Sequence, residues 1–160
     1  MKTNDEIKYY NLLGSLKHIN KDSVVLDFGA NIGDVTNYIY TKFMPSIHSY
    51  EPNIVCYNYM LKRFENFSKI RIYNLAVSSF TGKSYLYFHV KSKGINDPNY
   101  IQGATIRSEK DDIDVQKKIE IQCIDIKKIL QSFVQIDLIK IDVEGSEYSI
   151  MPEIIKNRDK

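Results

Sequence analysis

The stretch Val24-Val25-Leu26-Asp27-Phe28-Gly29-Ala30-Asn31-Ile32-Gly33-Asp34 decides the fold class. An apolar, β-branched run ends around an acid, Asp27, and a small-residue turn follows it. The amphipathic segment Ile32 to Phe43 opens directly from that turn. Such a strand, turn and helix is how an open parallel sheet presents a ligand at the carboxyl end of a strand. Gly29 and Gly33 allow φ angles closed to other residues, and their missing Cβ atoms are expected to let a ligand approach the backbone. The spacing D-x-G-x-N-x-G differs from the G-x-G-x-x-G fingerprint that seats a pyrophosphate on a helix N-terminus. An acid at the strand end repels phosphate and suits a cationic or hydroxyl-rich ligand.

Working outward, Ser46 to Glu51 reads as a second strand, tipped by Glu51-Pro52-Asn53. Pro52 holds Glu51 extended, and Asn53 is placed to cap the next helix, Ile54 to Phe67. An acid one βα unit after a glycine turn can accept hydrogen bonds from two ribose hydroxyls. Glu51 alone indicates an adenosine cofactor. With the glycine spacing it favours S-adenosylmethionine, whose sulfonium and amino group suit acids, over NAD. Lys69 to Val77 reads as a third strand, so residues 24–77 give βαβαβ and call for a parallel sheet with right-handed crossovers. Asp5 to Ile19 places Ile7, Tyr10, Leu13 and Leu16 at helical spacing, an N-terminal helix packing on the sheet edge.

A third block lies near the C-terminus. Leu138 to Val143 reads as a strand, ending in the acids Asp142 and Glu144 with Gly145 behind them. Ser146 is placed to cap the following helix, with Glu147 in its first turn. The blocks VLDFGANIGD, YEPN, NLAVSSFTG and LIKIDVEGSE, in this order from Val24 to about Met151, resemble the FkbM family of S-adenosylmethionine-dependent methyltransferases. The resemblance implies a single α/β domain over residues 1–160 with the Rossmann-like class I methyltransferase fold, a mostly parallel sheet flanked by helices. It implies methylation of a hydroxyl group on a sugar or natural-product acceptor. On this reading Asp27, Gly29, Ala30, Asn31 and Gly33 face the methionine portion, Glu51 the ribose, and Asn74 and Ala76 the adenine. Asp142 holds the cofactor's amino group or, with Glu144, supplies the general base. Alternation along a strand would put both acids on one side of the sheet end. Lys140, one step earlier, is placed to pair with Asp142.

Composition bounds the partners. A chain of 160 residues suits one core, and a net charge of +2 offers no strong field for nucleic acid. Cys56 and Cys123 lack metal-ligand spacing and read as buried free thiols of a cytoplasmic protein, with no metal expected. No apolar run reaches membrane-spanning length, and Met1 to Glu6 lacks the look of a signal peptide.

The middle breaks the alternation. Lys83 to Val90 and Lys117 to Cys123 read as two strands that pair, with Tyr85, Tyr87 and His89 on one face. Between them lies a polar loop, Lys91 to Gln116, with turn residues Gly94, Pro98, Asn99 and Gly103, expected either to cover the strand ends as a lid or acceptor-binding element or to be disordered. Asp125 is placed to cap a short helix, Ile126 to Phe133. Pro152 is expected to interrupt the last helix, and the sheet is expected to lack its last strands. Leu138 to Val143 would then sit at an edge open to a homodimer. A truncated, non-catalytic cofactor-binding or interaction module, and an NAD-binding oxidoreductase, stand as alternatives to the methyltransferase.

Overall fold

A computed structural model describes residues 16–92, 104–109 and 111–159. Strands β1 (Val24–Phe28), β2 (Ser46–Tyr50), β3 (Ile70–Tyr73) and β7 (Leu138–Ile141) form a parallel sheet in the order β3-β2-β1-β7. Helices α1 (Asp34–Phe43) and α2 (Ile54–Arg63) cross between the first three strands. A second sheet, ordered β4-β6-β5, holds β4 (Ala76–Ser78), β5 (Gly82–His89) and β6 (Ile113–Asp125). Helices α3 (Ile126–Gln131) and α4 (Glu147–Lys156) complete the chain order around β7. The expected α/β class with a mostly parallel sheet flanked by helices is therefore observed.

Strand alternation sorts the core. Val25 and Ile47 point to one face, where they pack with Ile39 of α1 and Met60 of α2, and with Leu16 and Ile19. Leu26, Phe28 and Tyr50 point to the other, against Ile126 and Ile129 of α3 and Ile150 of α4. The sheet is thus sandwiched between two helical layers, which buries both faces, as parallel strands require. The described end of the expected N-terminal helix, residues 16–19, is a turn closed by the Ile19 N–H to Leu16 carbonyl bond (3.1 Å), and the rest, Ile7, Tyr10 and Leu13 included, lies outside the described residues.

Several boundaries differ from the sequence reading, each for a local reason. The expected third strand divides into β3 and β4, which belong to different sheets. Asn74 causes the break: its side-chain amide donates to the carbonyls of Glu51 and Pro52, both at 2.9 Å, so the chain leaves the β2 ladder there. Helix α1 starts at Asp34 because Asn31 (φ 53°) and Gly33 (φ 82°) are both left-handed. Ser146 does not cap α4; the Glu147 carboxylate instead accepts the N–H groups of Val143 (3.1 Å) and Gly145 (2.7 Å). Pro152 lies inside α4 without ending it, although the N–H it lacks is one helical hydrogen bond forgone.

The expected hairpin pairing holds. Strand β5 runs antiparallel to β6, with a register shift between Tyr87 and Phe88. Strand β6 begins at Ile113, because Ile113 pairs with His89 and Asp114 with Phe88, so the connecting loop is shorter than expected. Residues 104–109 of that loop are described. Thr105 bridges to Tyr87, while Gly94, Pro98, Asn99 and Gly103 lie outside the described residues. Asn53 and Asp125 cap α2 and α3 as expected, accepting the N–H groups of Val55 and Lys127 at 2.9 Å each.

Candidate functional site

The carboxyl ends of β1, β2 and β7, the start of β4 and the segment 104–106 enclose a cavity of about 280 Å³. This is near the lower end of the range for small-molecule sites. The turn after β1 forms its floor. Gly29 and Ala30 donate their N–H groups to the Tyr50 carbonyl at 3.0 and 3.1 Å, which clamps the turn onto the end of β2.

Glu51 completes the clamp. Its Oε2 accepts the Asn31 N–H and its Oε1 the Asn53 N–H, both at 2.8 Å. The residue lines the cavity while only 7% exposed. Burial pushes its carboxyl up to about 7, outweighing the two N–H donors and the Lys140 charge that favour ionisation, while Asp27 adds to the rise. Beside it, Asn53 also lines the cavity, and its Nδ2 is buried with no hydrogen-bond partner. An acid and an orphaned amide side by side form a polar end able to accept from hydroxyls and donate to a ligand oxygen or nitrogen.

Asp27 sits elsewhere. It is fully buried beneath the turn and is not among the cavity-lining residues. Its Oδ2 accepts the Thr36 hydroxyl at 2.7 Å, and Thr36 in turn lies 2.8 Å from the Ser49 hydroxyl. Oδ1 faces the Lys140 ammonium at 3.2 Å as an ion pair without hydrogen-bond geometry. Asp27 therefore positions the turn from below, tying β1, α1 and β7 together.

The two turn glycines also serve the fold more than a ligand's approach. A Cβ on Gly29 would stand 1.9 Å from the Asp142 carbonyl oxygen, so the glycine lets the ends of β1 and β7 touch. A Cβ on Gly33 would meet the Phe64 ring at 2.6 Å, and Gly33 does not line the cavity. Of the expected cofactor residues, Gly29, Ala30, Asn31, Glu51, Ala76 and Asp142 line it. Asp27, Gly33 and Asn74 stand behind the wall as supports.

Asp142 and Glu144 both line the cavity, but not through strand alternation. Strand β7 ends at Ile141, and Glu144 takes a left-handed φ of 51° in the turn that follows. The Glu144 carbonyl accepts the Thr105 hydroxyl at 2.5 Å, which straps segment 104–107 across that turn. The Asp142 side chain is 65% exposed, with its Oδ2 3.8 Å from Lys140. His89 does not line the cavity; its Nε2 lies 3.8 Å from Asp112.

The motif blocks, the parallel order β3-β2-β1-β7 and this cavity share one pattern, and the methyltransferase FkbM domain matches residues 27–159. The chain belongs to that family. No curated protein matches the chain. Similar solved structures include Pyrococcus horikoshii TYW2 in complex with MeSAdo, at 16% identity and a TM-score of 0.38 over 48% of this chain. A putative transferase from the same organism, PH0793, gives 13% and 0.39 over 51%, and the MccD protein gives 20% and 0.36 over 40%. The chain spans 29%, 37% and 30% of the lengths of these structures.

Some site residues of this FkbM domain escaped the sequence reading. Thr36 and Ser49 carry no pattern beyond being small and polar, and only the packing of α1 on β2 brings them to Asp27. Ala104 and Ile106 line the cavity from a loop without periodicity. Asn53 was legible as a cap, while its place on the wall was not. Among the described residues no group of three or more His, Cys, Asp or Glu is placed to hold a metal ion, and no helix is long and apolar enough to cross a membrane.

Proposed function

We propose that this domain binds S-adenosylmethionine in the cavity and methylates a hydroxyl group of a small-molecule or saccharide acceptor. The observation that carries the reading is the wall chemistry. Glu51, Asp142 and Glu144 line the cavity with one lining ammonium, Lys140, among the described residues, while a fourth lining acid, Asp34, is paired with Arg63 at 2.8 Å. That excess of acid favours a ligand with positive charge and vicinal hydroxyls over a pyrophosphate, which counts against NAD. Glu51 and Asn53 suit the ribose, the apolar wall at Leu75, Ala76 and Val77 suits the adenine, and Gly29 to Asn31 with Asp142 suit the methionine portion.

Bound there, the cofactor supplies an electrophilic methyl on a sulfonium, which leaves as a neutral thioether. The protein's tasks are alignment and proton removal. Asp142 and Glu144 are the wall carboxylates nearest the turn after β7, and either accepts the hydroxyl proton as the new C–O bond forms. Segment 104–106 closes the side of the cavity with Ala104 and Ile106, giving the acceptor an apolar wall. The side of β7 with no partner strand among the described residues belongs to the same reading as a pairing edge for a second copy of the domain, with the cytoplasm as the setting.

Calorimetric titration with S-adenosylmethionine, with NAD as control, tests the reading. Saturable binding of S-adenosylmethionine alone supports it, and its weakening in Glu51→Ala assigns the ribose end. A folded chain that binds neither ligand leaves the non-catalytic module in its place.

A further inference from the structure

Lys140 stands out in a wall otherwise acidic. It projects from β7 and lines the cavity with its side chain only 13% exposed. An ammonium has three N–H donors. One goes to the Gly29 carbonyl at 2.7 Å, and a second faces Asp27 Oδ1 at 3.2 Å. The remaining carboxylate, Asp142, is 3.8 Å away, beyond hydrogen-bond reach. One donor therefore has no acceptor among the described residues. Burying an ion pair gives little net stability by itself, so the pairing with Asp27 does not fully account for a charge on this wall.

Resting on the S-adenosylmethionine reading, we propose that Lys140 is the cavity's carboxylate-binding residue, its free N–H taking the α-carboxylate of the cofactor's methionine portion. Lys140 is the one ammonium among the described lining residues, so it favours one orientation of the amino-acid end. The ammonium and carboxylate of that end then meet opposite charges, Asp142 and Lys140, placed next to each other on one strand end. Lys140 links ligand to scaffold through the same atom that grips Gly29 and Asp27.

The test compares S-adenosylhomocysteine with its decarboxylated analogue, which keeps the adenosine, thioether and amino group. The wild-type domain binds the first more tightly by roughly ten- to a hundredfold, the range for a hydrogen bond between charged groups. In Lys140→Gln that ratio collapses to about one, even if both affinities fall. Where the single variant leaves Asp27 unpaired and does not fold, Asp27→Asn/Lys140→Gln removes the buried charge and carries the same measurement. A wild-type ratio near one, or a ratio unchanged in either variant, overturns the proposal while leaving the cofactor reading intact. Failure of the wild type to bind either ligand overturns both.

Discussion

Replacing Gly29 with alanine tests how the site is built, because the glycine separates two backbones. The new Cβ would lie 1.9 Å from the Asp142 carbonyl oxygen and 2.8 Å from its carbon. Those are main-chain atoms, so the ends of β1 and β7 must part by about 1 Å in a close-packed interior. Parting them weakens the Asp142 N–H to Phe28 bond (3.0 Å) and the Lys140 ammonium to Gly29 bond (2.7 Å). Overpacking costs about 1–3 kcal/mol, the left-handed φ of +73° about 1–2 kcal/mol for alanine, and each strained hydrogen bond a fraction of about 1 kcal/mol. The expected loss is about 3–5 kcal/mol, a large share of the roughly 5–15 kcal/mol of a typical domain. Gly33→Ala shares the left-handed φ, but its Cβ meets side-chain atoms, the Phe64 ring edge and the Met60 methyl, rather than main chain. It should cost about 1–3 kcal/mol. Urea unfolding followed by far-UV circular dichroism measures both, the chain having no tryptophan. The reasoning is refuted if Gly29→Ala unfolds within about 0.5 kcal/mol of wild type, or if Gly33→Ala is the costlier of the two.

Glu51 makes stability depend on pH. Its carboxyl is raised from 4.5 to about 7, so the folded state holds a proton that the unfolded state releases. Its contribution is complete below pH 4.5 and is lost as pH rises to about 7, amounting to about 3 kcal/mol. Glu51→Gln should flatten that slope in urea titrations across the window, and an unchanged slope would refute the assignment. Asp125→Ala removes the cap at Lys127 N–H, away from the cavity, and should lower stability by about 1 kcal/mol while leaving ligand affinity unaltered in calorimetry. Burial pushes the Cys56 thiol up to about 12, so its alkylation at pH 8 should be far slower than that of an unfolded control, and a rapid reaction would contradict the packing beneath Asn31.

How much was legible in the sequence follows from which interactions are local. Strand β1, the caps Asn53 and Asp125 and the βα order are set by neighbours in sequence, and each is where pattern and turn chemistry place it. The break at Asn74 was not legible, because it depends on two carbonyls more than twenty residues upstream. Chain proximity likewise says nothing of Gly29 meeting Asp142, since that contact joins the first and last strands of the sheet. The glycines were therefore read as openings for a ligand, when their missing Cβ atoms make room for the chain itself. Among the candidate site residues, composition and order marked Glu51, Asn31 and Asp142 as wall residues. They could not mark Asp27 as a support, because an acid at a strand end looks the same whether it faces a cavity or a buried threonine.

A crystal structure grown with S-adenosylhomocysteine is the most direct measurement of the central claim. The nucleoside should lie in the cavity, with its ribose hydroxyls on the Glu51 carboxylate and its amino-acid end against Gly29 to Asn31. Ligand bound away from Glu51, or a cavity left empty at saturating concentration, would contradict it.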